Sequence, residues 1–432
     1  MVNSVHLLVL VHGMWGNPIH LAELQRIALE TYAEPTAEGT SLEILTAETI
    51  RDESTYDGMD WGGERVAKEV LEKVKSLEEK GKTVTRFSIT GYSLGGLISR
   101  YCIGVLDQQG FFDKIEPTNF NTVATPHCGL PRYRSFFSTV ASKLGPRLLS
   151  RTGEQFYCAD KWSPKGRPLL VVMADPCEIL DRIIPSARLF YQALKKFRHI
   201  RIYANAINDI TVPYVTAAIE TEDPFAEEET NGIQVKRLEK YEALVESYSL
   251  PDVTPPKPEK PKFFSIAWFK RMKPRPILPF NPRFPLNLVL YALLPILIPT
   301  FITIALSRFA LASRSSRSRI KQLEKEATMS GQQRLVHILA EIEREMEDAV
   351  VDLMDNNDTS AFDIQSKAHP IISANHMKIA TWLNTLPIKK EIAYFPNLRN
   401  SHATIVSRDI KRFEFHRLGE PVIRHWANTL II

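Results

Sequence analysis

Residues 86–101 read Arg86-Phe87-Ser88-Ile89-Thr90-Gly91-Tyr92-Ser93-Leu94-Gly95-Gly96-Leu97-Ile98-Ser99-Arg100-Tyr101, and the fold turns on them. A strand-like run, residues 86–90, leads into Gly91-Tyr92-Ser93-Leu94-Gly95, after which Leu97, Ile98, Tyr101 and Val105 fall on one helical face. A Gly-x-Ser-x-Gly match alone is a weak signal, since ordinary glycine and serine usage supplies one by chance in roughly one chain in seven of this length. A strand before it and a helix after it are what a nucleophile elbow requires. The flanking glycines let neighbouring backbone pass close by, so the Ser93 hydroxyl can be held exposed at the helix N-terminus. Ser93 is the candidate nucleophile.

Working outward, residues 7–11, 122–124, 169–173 and 200–204 are further short apolar runs of the kind that form buried parallel strands, and they alternate with helical patterns. Val66, Val70, Val74 and Leu77 recur at near-helical spacing among Glu and Lys, which predicts a helix lying on the sheet with its charged side in water. A strand pattern returns near residues 389–395, and residues 421–432 leave room for a closing helix. These elements predict an α/β-hydrolase fold, a mostly parallel sheet with helices on both faces.

That architecture orders the rest of the site. The residue after the nucleophile and a loop after an early strand supply the backbone N–H groups of an oxyanion hole, and an acid and then a base follow the serine. His12-Gly13-Met14-Trp15-Gly16 ends the first strand, so Leu94 and Met14 are the expected donors, with Gly13 beside them. His12 precedes the nucleophile and reads as a residue orienting the loop. Asn208-Asp209-Ile210-Thr211-Val212-Pro213 follows the run at 200–204, which makes Asp209 the acid, with Asp175 after residues 169–173 as its competitor. His402, in Asn400-Ser401-His402-Ala403-Thr404 after the last strand pattern, is the expected base. His416 and His425 lie in or beside helical surface, and His369 and His376 precede the last strand. His127 follows the strand after the elbow and suits a pocket wall or a structural loop.

Asp209 and His402 are separated by 193 residues, far more than one strand and one helix need. The reading divides the chain into core at 1–215 and 365–432, with an insertion at 216–364. Within the insertion, an acidic stretch at 220–229 gives way to proline-rich, basic sequence at 251–285, which cannot hold a continuous helix and reads as a linker. Residues 284–307 then carry no charged residue, a length that reaches the span of a bilayer's hydrocarbon core. Pro295 and Pro299 would kink a spanning helix or turn the chain back as a re-entrant hairpin. Ile320, Leu323, Leu335, Ile338, Leu339, Ile342, Met346 and Val350 predict an amphipathic helix or helix pair after it. Loops at that end of such a sheet border the active site, so a membrane anchor there would bring Ser93 near lipid.

Composition agrees. Of 432 residues, 44% are apolar and 24% charged, and a net charge of +4 gives nucleic acid no general electrostatic claim on the chain. Cys102, Cys128, Cys158 and Cys177 show no Cys-x-x-Cys pairing, which favours reduced, packed thiols facing the cytosol and neither a metal site nor a disulfide framework. The N-terminus lacks the basic start and cleavage site of a secretory signal and reads as a first strand.

His12-Gly13-Met14-Trp15-Gly16, Gly91-Tyr92-Ser93-Leu94-Gly95-Gly96, Ala124-Thr125-Pro126-His127, Tyr203-Ala204-Asn205 with Asn208-Asp209-Ile210-Thr211-Val212-Pro213, and His402-Ala403 together resemble the lipase-like serine esterase family of fungi and plants. The likeness covers residues 5 to about 215 and 365–432 and is looser over the insertion. It implies hydrolysis of acyl esters, with glycerophospholipids as candidate substrates and a lipid-droplet or endoplasmic-reticulum surface as the site of action, the catalytic part facing the cytosol. The expected chemistry needs no cofactor and no metal. A lipid transacylase using the same triad and a catalytically idle membrane scaffold are the alternatives.

Overall fold

The computed structural model describes residues 3–176, 190–253, 286–330 and 368–432, together with positions 255, 265, 336 and 337. Its strands are β1 (Asn3–Val11), β2 (Ser41–Thr46), β3 (Lys82–Tyr92), β4 (Glu116–Val123), β5 (Arg132–Tyr133), β6 (His199–Asn205), β7 (Gln234–Arg237), β8 (Val245–Ser249), β9 (Pro370–Ile371) and β10 (Ile388–Ala393). Six of them form one sheet in the order β10-β6-β4-β3-β1-β2, every neighbouring pair parallel. With helices on both faces, this is the α/β-hydrolase fold.

Burial along β1 explains the layering. Val5, Leu7, Val9 and Val11 face one side, where α2 (Met59–Glu79) presents Val66, Val70, Val74 and Leu77 and α3 (Leu94–Gln108) presents Leu97, Ile98 and Tyr101. Leu8 and Leu10 face the other, against Leu24, Ile27 and Ala28 of α1 (Ala22–Thr31) and Val422, Ile423 and Trp426 of the closing helix Glu420–Asn428. A strand covered on both faces is apolar at most positions, with a buried polar residue such as His6 hydrogen-bonded, and each such leucine contributes about 1.5–3 kcal/mol of burial.

One expected strand is a helix, and one strand of the sheet has no counterpart among the apolar runs of the sequence. Residues 169–173, read as a strand, belong to the helix Leu169–Ala174. A short, wholly buried apolar run has no periodicity to separate the two states; here Pro168 opens the helix and Asp160 accepts the Leu169 N–H at 2.8 Å. The edge strand β2 carries Glu43, which pairs with Lys73 and Lys82, so it lacks the uniform apolarity of its neighbours.

Beyond the sheet, β7 and β8 pair as a hairpin, and Leu244 bridges to Ala393 at the end of β10. Most of the proline-rich stretch, and residues 331–335 and 338–350 of the expected amphipathic helix, lie outside the described residues. One helix, Leu286–Ser330, runs through both Pro295 and Pro299, so the chain does not turn back there. A helix proline forfeits one backbone bond, and the Thr300 and Thr303 hydroxyls add bonds to the Ile296 and Pro299 carbonyls, each at 2.8 Å.

The inner half of this long helix is docked. Asp57, fully buried, accepts from Ser316 at 2.7 Å, Arg65 at 2.8 Å and Arg319 at 2.9 Å. Arg151 joins Asp60 at 2.6 Å and Glu324 at 3.2 Å, while Ile320, Leu323 and Ala327 cover Trp61. Its outer half is bare: Ile296, Phe301, Ile302 and Ile304 are all exposed. By length and composition the segment Ala292–Ala327 could cross a membrane.

A buried histidine makes stability pH-dependent. His6 on β1 accepts from Ser88 at 2.7 Å, because the Ser88 oxygen already takes the Asn119 backbone and side-chain N–H groups. Burial, helped by Arg86, pushes its pKa down to about 3. In the unfolded chain the ring protonates near 6.5. Between these values the unfolded state binds the extra proton, so stability should fall as pH drops below about 6.5, by up to about 1.4 kcal/mol per pH unit from this residue. Urea melts of wild type and His6→Gln from pH 7 to 5 should diverge, the variant having the flatter dependence; parallel curves would refute the assignment.

Candidate active site

Ser93 sits between β3 and α3 with φ 56° and ψ −126°, a left-handed-side conformation that costs a non-glycine residue of order 1–3 kcal/mol. Its neighbours hold it there. The Ser93 N–H donates to the Val123 carbonyl at 2.8 Å, and its carbonyl accepts from the Thr125 hydroxyl at 2.9 Å. Close approach fixes the glycine at 95: a Cβ there would stand 2.1 Å from the Val11 carbonyl oxygen and 2.6 Å from that of His12. The turn and the end of β1 therefore touch through backbone alone.

His402 reaches the serine from the opposite end of the sequence. Its Nε2 lies 3.1 Å from Ser93 Oγ and its Nδ1 2.9 Å from Asp209 Oδ2. A carboxylate only accepts, so the proton of a neutral His402 sits on Nδ1 and Nε2 is left to accept from the serine hydroxyl. The Tyr92 hydroxyl donates to the His402 carbonyl at 2.9 Å, with the two rings 5.1 Å apart. Burial pushes the Tyr92 phenol up, so it stays a donor. Ser401 ties the same loop to the loop after β6 through its N–H to the Asn208 carbonyl and its hydroxyl to the Ile207 carbonyl.

Asp209 is saturated with donors. Oδ1 accepts the Thr211 and Val212 N–H groups at 3.0 and 2.8 Å, and Oδ2 accepts Asn205 Nδ2 at 2.8 Å besides His402. Its side chain is 2% exposed. A carboxylate so bound cannot swing away from the imidazole.

Of the two oxyanion donors expected from sequence, Leu94 is the first residue of α3, where helix geometry leaves its N–H without an intrahelical acceptor. Met14 lies on a loop that passes against the serine: a Cβ on Gly13 would be 2.7 Å from Ser93 Cβ. The next two amides of that loop are engaged, Trp15 N–H with Thr55 Oγ1 and Gly16 N–H with the Gly13 carbonyl. Trp15, at φ 52°, also donates its indole N–H to Tyr56 and stacks on Phe309 of the long helix at 5.8 Å. The long helix and the loop after β1 are thus in direct contact.

The competing residues are occupied elsewhere. Asp175 pairs with Arg167. His12 is wholly buried with Nδ1 3.1 Å from the Gly13 carbonyl, and burial lowers its pKa. His127 Nε2 bonds Thr122 at 2.8 Å, and burial pushes it well below the usual imidazole range. His376 Nε2 contacts the Glu220 carbonyl, His416 Nδ1 accepts the Asp409 N–H, and His425 sits against Tyr203. His369 adjoins β9, on the wall of a separate cavity. Cys102 and Cys128 are buried and free, Cys158 is half-buried and free, and Cys177 lies outside the described residues. Among the described residues no group of three or more His, Cys, Asp and Glu is placed to hold a metal ion. The arrangement can activate a hydroxyl, orient the base that does so, and offer N–H groups to a developing oxyanion.

Asn205, Tyr92, Thr125 and Ser401 were not singled out by sequence, although all four lie inside or beside the motifs quoted. Adjacency to the chemistry-bearing residue is the signal that could have found them.

The family described as "Putative serine esterase (DUF676)" matches residues 1–221. The chain is similar to "Putative lipase C4A8.10" of Schizosaccharomyces pombe, 28% identical over 231 residues that cover 52% of this chain and 28% of the relative. It is similar to "Putative lipase ROG1" of Saccharomyces cerevisiae, 26% identical over 222 residues covering 50% of this chain and 28% of the relative. The chain therefore matches little more than a quarter of the length of these curated relatives. Among solved structures, the RedJ thioesterase of Streptomyces coelicolor aligns over 49% of this chain and 70% of its own, at 14% identity and a TM-score of 0.23.

Proposed function

The chain belongs to the "Putative serine esterase (DUF676)" family, and on that premise we propose that it hydrolyses acyl esters of lipids through Ser93, His402 and Asp209. Ser93 Oγ attacks the ester carbonyl as His402 Nε2 takes its proton, and the oxyanion is received by the N–H groups of Met14 and Leu94. The tetrahedral intermediate collapses, His402 returns the proton to the leaving alcohol, and an acyl-enzyme remains. Water, deprotonated by His402, then releases the fatty acid and restores the serine. The observation that carries this reading is the continuous chain of contacts from Ser93 Oγ through His402 to Asp209.

A fluorophosphonate probe is expected to label the wild-type protein and to leave Ser93→Ala unlabelled. Undiminished labelling of that variant would remove Ser93 as nucleophile, and an unlabelled wild type would favour an idle scaffold.

The substrate in this reading is a glycerophospholipid presented by a lipid-droplet or endoplasmic-reticulum surface, with the catalytic part on the cytosolic side. Support comes from the bare apolar half of the long helix and from its contact with Trp15, next to the oxyanion loop. Deleting residues 284–307 should shift the protein from the membrane pellet to the supernatant on fractionation. An unchanged membrane share would sink the anchoring role.

A further inference from the structure

Helices α1, α2 and α3 turn apolar residues inward, whereas α4 (Phe136–Leu148) has no buried residue at all. Phe136, Phe137, Val140 and Leu144 share one face at spacings of three and four. Phe136 is 76% and Phe137 82% exposed, their rings edge to face at 5.8 Å. The face towards the protein carries small and polar residues. There the Ser138 hydroxyl accepts the Tyr133 N–H at 2.8 Å, and a Cβ on Gly145 would stand 2.4 Å from the Tyr157 ring. The helix is nevertheless held at both ends: Ser135 Oγ accepts the Ser138 N–H at 3.2 Å, and the Arg147 carbonyl accepts from Ser313 of the long helix at 3.0 Å. An apolar face that a capped and docked helix holds out to solvent marks an interaction surface.

We propose that α4 docks on an anionic lipid surface, as a second membrane contact beside the long helix. Charge favours that partner: from 132 to 150 the chain carries Arg132, Arg134, Lys143 and Arg147, all exposed, and no aspartate or glutamate. An amphipathic helix of this kind sinks its aromatic rings to the acyl boundary and leaves its cations among the phosphates. Position favours it too, because α4 is bonded to the long helix, whose outer half exposes Ile296, Phe301, Ile302 and Ile304. The two bare apolar surfaces belong to touching elements. A second copy of this chain fits less well, since a symmetric contact would set four cations against four. Tyr133, three residues before α4, lines one cavity with Asp209, so a docked α4 holds the triad end of the sheet towards the lipid. The proposal rests on the membrane reading above for the lipid beside the long helix, and on no phospholipase activity.

Photo-cross-linking in the full chain separates the two contacts. The photoreactive residue p-benzoylphenylalanine is placed in turn at position 137, at 301 on the long helix, and at 29 on α1, across the sheet from α2 and α3. Each chain, with circular dichroism matching wild type, is reconstituted with vesicles of phosphatidylcholine and phosphatidylserine in equal parts and irradiated. Lipid adducts at 137 should exceed those at 29 by roughly tenfold, and should fall by roughly threefold or more on vesicles of phosphatidylcholine alone. Lipid adducts at 301 with none above background at 137 overturn the docking of α4 and leave the anchoring role of the long helix standing. Adducts at 137 without any at 301 support α4 and count against that anchor. Chain-to-chain adducts at 137 in place of lipid assign the face to a second copy and overturn the proposal, and equal yields on the two vesicle types overturn its commitment to anionic lipid.

Discussion

His402→Ala is expected to lower kcat on a soluble acyl ester by on the order of 10⁶, with little change in KM. No other base can take over. His12 and His127 are held by Gly13 and Thr122 and kept neutral by burial, and His376, His416 and His425 are engaged elsewhere. A residual rate of roughly 10³–10⁴ over water should survive, because the loop amides and the elbow do not depend on the imidazole. The fold should survive as well: Tyr92 holds this loop through the His402 backbone carbonyl, and Ser401 pins it to Ile207 and Asn208. Steady-state kinetics with p-nitrophenyl butyrate, alongside a thermal melt, make the measurement. A folded variant within tenfold of wild-type kcat would mean that a different group deprotonates the nucleophile.

The parts of this molecule legible in the sequence are those whose constraints are local or periodic. Strand β1 announces itself because burial on both faces forces apolar residues at successive positions, whereas the edge strand β10 carries Lys389, Lys390 and Glu391 between its apolar ends. The elbow is legible because only glycine permits the close approach to Val11 and His12. Asp209 and His402 are expected from their order along the chain, and His402 lies within hydrogen-bond distance of both Asp209 and Ser93. Residues 169–173 read as a strand because a buried helix that short has the same composition as a buried strand. The supports of the site left no trace of this kind. Tyr92 grips His402 across 310 residues and Trp15 meets Phe309 on the long apolar helix, and neither contact follows from a local pattern.

Asp209→Asn should cost on the order of 10⁴ in kcat while leaving the backbone of the site in place. The reason lies in which groups surround position 209. The Thr211 and Val212 N–H groups need an acceptor, so the new amide turns its oxygen towards them. Its NH₂ then faces His402 Nδ1, and also Asn205 Nδ2, itself a donor. To accept from that NH₂, His402 must carry its proton on Nε2, and in that tautomer it presents an N–H to Ser93 Oγ and cannot deprotonate it. Asp209→Ala has no such preference and leaves Nδ1 free to keep its proton, so it should retain more activity than the Asn variant. Kinetics of both variants on one soluble ester decide the matter: an Asn variant equal to or faster than the Ala variant would show that Asp209 acts through charge alone and does not set the tautomer.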